Sequence, residues 1–315
     1  MKMQHTRARL VAGAALGLVA SLGLVACGAD DGGNDAFSSG DGEGGSIVVG
    51  SANFPENELL MQMYAQALED AGVTVETKPN IGAREVYMKA FEDGDINLLP
   101  EYNGALLSYL MAPDTVPQDV TSPEDVYTEL QDHLPDGSET LDQSAAEDKD
   151  TLTVSQETAD EHDLTTMEDV APIAGELSLA AGPEFRERFQ GLVGLKEVYG
   201  IEFGEFKPLD AGGPLTTGAL EDGDVDVANI FSTSSAIETN DWVVLEDTKH
   251  LFLAQNIVPL IKSDLVTPEV EEALNAVSAA LTTDNLTEAL ARVQVDKEDP
   301  ATVAEDFLTE NGVLG

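Results

Sequence analysis

Two short runs place oxygen-bearing side chains at alternate positions: Asp93, Asp95 and Asn97 in one, Asp222, Asp224 and Asp226 in the other. Such spacing opens a calcium-binding loop, whose sixth residue must be Gly to make the sharp turn. Here the sixth residues are Leu98 and Val227, each at the start of an apolar run. The pattern therefore predicts entry into a strand and no metal site. His133, His162 and His250 stand far apart in unrelated contexts, and neither His-Glu-x-x-His nor Gly-x-Ser-x-Gly occurs. Without a nucleophile beside a base, or two histidines on one helix face, the residues for hydrolysis are missing. Gly40, Gly42 and Gly45 formally match Gly-x-Gly-x-x-Gly, but they precede a strand, whereas a dinucleotide site needs them between a strand and a helix. The expectation is a protein that is not an enzyme and takes no cofactor.

The one reactive residue with a clear assignment is Cys27, the only Cys in the chain. It follows a basic start (Lys2, Arg7, Arg9), a long apolar stretch and small residues, the three parts of a secretory signal peptide over residues 1–26. A lone Cys forms no intramolecular disulfide. The run "LVAC" resembles the bacterial lipobox, in which the Cys sulfur receives a diacylglycerol and cleavage falls just before it. Two acyl chains suffice for stable anchoring. Residues 27–45 are rich in Gly, Ser and Asp and read as a flexible tether, with a root-mean-square reach of about 25 Å for a coil of that length. The expected location is the outer face of the plasma membrane.

Charge excludes another class of partner. With 60 acidic against 15 basic residues, a formal net charge of -45, the chain is a poor match for nucleic acid, which is bound through clustered Lys and Arg. The acidity suits a solvated surface. A hydrophobic fraction of 42% over 315 residues gives material for about two globular lobes.

The elements that would carry a site are announced by a repeated phrase, "AFEDGDINLLPEY" at 90–102 and "ALEDGDVDVANIF" at 219–231. Each reads as a helix end, a Gly favouring a left-handed cap (Gly94, Gly223) and an apolar strand. The copies are too far apart for a stacked repeat, whose period is about 20 to 50 residues, and so predict two similar lobes. Around them strands and helices alternate, "SIVVG", "ENELLMQMYAQALEDAG", "VTVETKPNI", "AREVYMKAFEDG", and again from "TLTVSQ" onward. That rhythm predicts an α/β fold with mostly parallel sheets flanked by helices. "RERFQGLVGLKEVYG" reads as a helix within the second series. Ligands of such sheets collect beyond the carboxyl ends of strands, here residues 100–103 and 230–234.

The blocks "GSANFPENELLMQMYAQAL", "NLLPEYNGALLSYL", "GPEFRERFQGLVGLKEVYGIEF" and "ALEDGDVDVANIFSTSSAI" resemble, in this order, the extracytoplasmic substrate-binding proteins of ABC importers for glycine betaine, choline and related osmoprotectants. The resemblance spans residues 46–315. It implies a two-lobed periplasmic-binding-protein fold of type II with the ligand cleft between lobes. Lobe I would comprise residues 46–145 and 251–315, lobe II residues 146–250, with hinges near 142–150 and 248–256. It also implies permease and ATPase partners and a small solute as ligand.

A quaternary ammonium has no N–H to donate and is recognised by aromatic faces, at about 0.5 to 2 kcal/mol each. The resemblance carries Tyr102 (of "PEYNG") and Phe231 (of "FST") onto aromatic positions of the family. Other family tyrosines fall on Thr217, Gln255 and Asp150, and Ala52 stands where Lys is common. Asn53, Ser232 and Thr233 are further implied ligand contacts. Arg84, where the family has small polar residues, is a candidate clamp for a ligand carboxylate. Each has a plainer reading: Tyr102 and Phe231 as core rings, Arg84 in a salt bridge with surface acids, Asp150 as a solvated acid. Two other functions fit the same fold, a receptor for a different polar solute such as ergothioneine or an amino acid, and a ligand-sensing lipoprotein.

Overall fold

A computed structural model describes residues 46–315. The signal peptide, Cys27 and the tether lie outside the described residues.

The first sheet begins with β1 (Ile47–Gly50), α1 (Pro55–Asp70), β2 (Val75–Lys78), α2 (Arg84–Glu92), β3 (Leu98–Tyr102), α3 (Asn103–Met111), α4 (Pro123–Gln131) and β4 (Ser138–Thr140). The chain then builds a second sheet through β5 (Asp150–Val154), α5 (Gln156–His162), α6 (Met167–Val170), β6 (Ser178–Ala181), β7 (Glu205–Pro208), α7 (Pro214–Glu221), β8 (Val227–Phe231), α8 (Ser235–Thr239) and β9 (Val243–Val244). It returns with β10 (Ile257–Lys262) and closes with α9 (Pro268–Ala280), α10 (Thr283–Gln294) and α11 (Pro300–Glu310).

Strand order is β2-β1-β3-β10-β4 in one sheet and β7-β6-β8-β5-β9 in the other. The two match place by place, including direction. β1 runs parallel to β2 and β3, as β6 does to β7 and β8, while β10 and β5 run antiparallel to both neighbours. The repeated phrase therefore encodes the same central strand twice, β3 and β8. Gly94 (φ +80°) and Gly223 (φ +71°) adopt the left-handed conformation expected after each helix, which costs Gly no Cβ clash. The last member of each alternating run is spent on its sheet: Asn97 accepts from the Val48 amide at 2.7 Å, and Asp226 accepts from the Ser178 amide at 2.7 Å.

α1 starts with Pro55 at its first turn and two acids, Glu56 and Glu58, a sequence suited to a helix N-terminus. Its apolar face (Leu59, Leu60, Met63, Tyr64, Leu68) packs with Val277, Leu286 and Phe307 of the C-terminal helices, so the end of the chain completes the first lobe's core. A separate core of Leu152, Val154, Leu179, Val227 and Leu195 serves the second lobe.

One element departs from the sequence reading. "RERFQGLVGLKEVYG" is not a continuous helix: Gln190 and Gly191 leave helical geometry, and two short wide turns, Phe189–Val193 and Leu195–Tyr199, replace it. A Cβ on Gly191 would run into the Phe185 carbonyl, so the chain folds back on itself where helix periodicity alone predicts extension.

The two crossovers between lobes lie side by side. Glu147 and Asn256 form an antiparallel bridge, and the Asp148 amide donates to the Gln255 carbonyl at 3.1 Å.

Candidate functional site

The carboxyl ends of β3 and β8 bring three rings together. Phe54, just before α1, lies 5.2 Å from Phe231 and 5.9 Å from Tyr102, centroid to centroid, with tilted planes. Beneath them Glu56 accepts from the Tyr102 hydroxyl at 2.7 Å and from Thr233 Oγ1 at 2.5 Å. Asp148, in the first crossover, accepts from the Thr233 amide at 3.2 Å and from Ser232 Oγ at 3.4 Å. Both acids are buried, and neither is in a salt bridge among the described residues. Burial pushes both carboxyls up, Asp148 well above its usual range because the Glu56 charge adds to desolvation. Two adjacent buried carboxyls cannot both ionise, so the pair holds a proton.

Beside this cluster an interlobe cleft of about 620 Å³ is walled by Arg84, Glu85 and Tyr109 from the first lobe and by Asp150, Arg188 and Phe189 from the second. That volume is within the range of small-molecule sites. Asp150 opens β5. It is held by two amides, Asn229 Nδ2 at 3.1 Å and Gln255 Nε2 at 3.4 Å, and desolvation raises its pKa. Arg84 begins α2 and is 9% exposed. Its Nε and Nη2 reach the two oxygens of Glu101 at 3.1 and 3.0 Å, and although burial alone would lower its pKa, Glu101 more than reverses this. At the rim Arg188 grips Glu85 of the other lobe through Nε and Nη2 at 3.0 and 2.9 Å. Arg188 thereby holds the Glu85 carboxyl below its usual range despite partial burial.

The residues singled out in the sequence fall into three groups. Arg84 and Asp150 line the cleft, and Gln255 reaches Asp150. Tyr102, Phe231, Ser232 and Thr233 gather around Glu56 and Asp148, with Tyr102 in the core and only 5% exposed. Thr217 and Asn53 stand apart. Thr217 lines a different groove with Pro55 and Val295, its hydroxyl donating to the Gly213 carbonyl at 3.1 Å, and Asn53 is exposed. One of the plainer readings is also corrected. Arg84 pairs with a fully buried acid, not a surface one, because Glu101 sits on a strand whose residues all face protein, and Asp150 is half-buried at the cleft wall.

Phe54, Glu56, Glu101 and Asp148 escaped the sequence reading. Phe54 and Glu56 lie inside the quoted "SANFPEN" block, and Glu101 inside "PEY". Acids at a helix start and in so acidic a chain gave no reason to expect burial.

Two topologically matched sheets, joined by paired crossovers and enclosing a cleft at their strand ends, define a two-lobed solute-binding protein of the type II periplasmic class. A solved structure described as a glycine betaine/carnitine/choline ABC transporter shares this fold, with a TM-score of 0.67 at 23% identity over 85% of this chain and 100% of that one. The chain belongs to the family of substrate-binding domains of ABC-type glycine betaine transport systems, which it matches over residues 45–310. Among its relatives are the carnitine transport binding protein OpuCC of Listeria monocytogenes, 24% identical over 86% of this chain and 89% of the relative, and the glycine betaine-binding protein YehZ of Escherichia coli, 26% identical over 84% and 90%. These relatives are solute-binding proteins of transporters, not enzymes.

Proposed function

We propose that this protein captures a quaternary-ammonium osmolyte of the glycine betaine, carnitine or choline type in its interlobe cleft and delivers it to the permease of an ABC importer, while Cys27 lipid holds it at the outer face of the plasma membrane. The observation that carries this reading is Asp150. Arg84 and Arg188 each have a carboxylate partner, Glu101 and Glu85, whereas Asp150 is half-buried, lines the cleft and is bonded by amides alone among the described residues. Glu184 and Glu187 add further negative charge to the same lining. A cation entering from water completes an acid that the fold has already partly desolvated. The names borne by the relatives, for carnitine and glycine betaine, support the same ligand class.

Calorimetry with glycine betaine, carnitine and choline tests the proposal. At least one should bind, and Asp150→Asn should weaken choline by about 1 to 3 kcal/mol, and betaine, whose carboxylate Asp150 repels, by less. Failure of all three to bind would transfer the cleft to another class of polar solute.

A further inference from the structure

We infer that closure of the two lobes is coupled to the uptake of one proton by the Glu56–Asp148 pair, so that the protein holds its solute more tightly in mildly acidic surroundings and lets go as pH rises. The inference rests on the reading of the cleft as a trap that closes on its solute, and it adds a regulator to that trap.

The pair is roofed by both lobes. Glu56 lies in the first turn of α1 and Asp148 in the first crossover, and they are 2% and 3% exposed. The first lobe contributes Phe54 and Tyr102. The second contributes Phe231, whose ring lies against Phe54, and Thr233, whose hydroxyl donates to Glu56 and whose amide donates to Asp148. The space left beside Glu56, between Phe54, Phe231 and Thr233, is about 10 Å³, room for one water at most. Parting the lobes withdraws Phe231 and Thr233 together and lets water reach both carboxyls. Closing them returns the pair to a dry site.

Every donor that meets the pair from the surrounding elements is neutral: the hydroxyls of Tyr102, Thr233 and Ser232, and the Thr233 amide. From α10 come Leu290 and Gln294, which carry no charge. The charged groups nearby are matched to one another, Glu147 with Lys149 at 3.1 Å on either side of Asp148, and Glu101 with Arg84 at 3.0 Å behind Tyr102. The two carboxyls are hydrogen-bonded to each other, which requires that one of them carry a proton, since an ionised carboxylate only accepts. In the open form water solvates both, and both ionise near their ordinary values of 4.5 and 3.8. Above those values the closed form keeps a proton that the open form has shed, so closure weakens as pH rises. Asp150 acts in the opposite direction, because a ligand cation favours its ionised form. Glu85 is held below its usual range by Arg188 and so titrates under this window.

Calorimetry of glycine betaine binding in two buffers of different ionisation enthalpy counts the protons exchanged, because the quaternary ammonium of the ligand has none to give. The comparison is with the double variant Glu56→Gln and Asp148→Asn, which keeps the size of both side chains and removes both titratable groups, its fold checked by thermal melting. Between about pH 5.5 and pH 7.5 wild type should take up more protons on binding than the variant, by as much as one. Its affinity should fall with pH relative to the variant by up to about tenfold per pH unit, the limit for a single proton. Equal proton counts in the two proteins would overturn the inference and leave the osmolyte reading intact. If the variant does not fold, the wild-type count decides: net uptake upholds the coupling, and its absence overturns it. Should glycine betaine not bind, carnitine and choline take its place. If none of the three binds, the osmolyte reading falls and solution scattering of the folded, ligand-free protein decides alone. A radius of gyration that grows between about pH 5 and pH 8 would uphold the coupling, and a constant one would overturn it.

Discussion

The hydroxyl of Thr233, just beyond the end of β8, donates to Oε2 of Glu56 at the start of α1, so a side chain of the second lobe is bonded to an acid of the first. Glu56 is held on its own side by the Tyr102 hydroxyl, and the crossover residue Asp148 accepts from the Thr233 backbone. Both lobes and their hinge meet at one buried acid pair.

Cutting the cross-lobe ties should open the ligand-free molecule. Thr233→Val removes one hydrogen bond, worth about 1 kcal/mol, and Arg188→Gln removes the rim ion pair, worth about 1 kcal/mol or less because it is partly solvated. The double variant should show a larger radius of gyration in solution scattering without ligand, and faster ligand release. Scattering identical to wild type would place the balance between open and closed forms elsewhere.

The acid pair also predicts how stability depends on pH. Glu56 and Asp148 have ordinary values of 4.5 and 3.8, and in the folded chain both are raised, chiefly by desolvation. The folded state therefore keeps protons that the unfolded state has released, and stability falls as pH rises from those ordinary values through the raised ones. Urea unfolding between about pH 4.5 and pH 8 should show this decline, and Asp148→Asn, which supplies a permanent donor to Glu56, should flatten it. A wild-type stability that climbs across this window would contradict the assignment.

Anchoring is expected to depend on one atom. Cys27→Ser removes the only sulfur able to accept the lipid, so the variant should leave the detergent-rich phase on partitioning, released to the medium or retained with its signal peptide uncut. A processed serine variant that still partitions as a lipoprotein would rule out the lipobox.

The sheets were legible because their signals are local. A helix end, Gly94 or Gly223, and an apolar run identify β3 and β8 wherever they occur, and repetition of the phrase announced two lobes. The cleft was harder to read. Arg84 and Asp150 stood out only against a family pattern, and their partners Glu101 and Gln255 come from distant positions brought together by tertiary packing. Burial of an acid leaves no mark in the sequence when every fifth residue is acidic or so, and thus Glu56, Glu101 and Asp148 looked like surface. "RERFQGLVGLKEVYG" failed for the opposite reason, since its periodicity is helical while the fold-back that brings Gly191 against the Phe185 carbonyl depends on backbone geometry that periodicity does not carry.

β10 occupies an interior place in the first sheet, between β3 and β4, yet it is the last strand the chain makes. The second sheet has all five of its strands once β9 is complete, whereas the first must wait with a gap in its middle until residues 257–262 arrive. A chain made from its N-terminus thus passes through a vulnerable intermediate: one lobe free to mature, the other exposing the apolar edge of "LLPEY" to any stray strand. Sealing that gap requires closure over the whole inserted lobe, a long-range and therefore slow step. Truncation anywhere before Ile257 leaves the seam open, and the burden of quality control during folding falls on the first lobe.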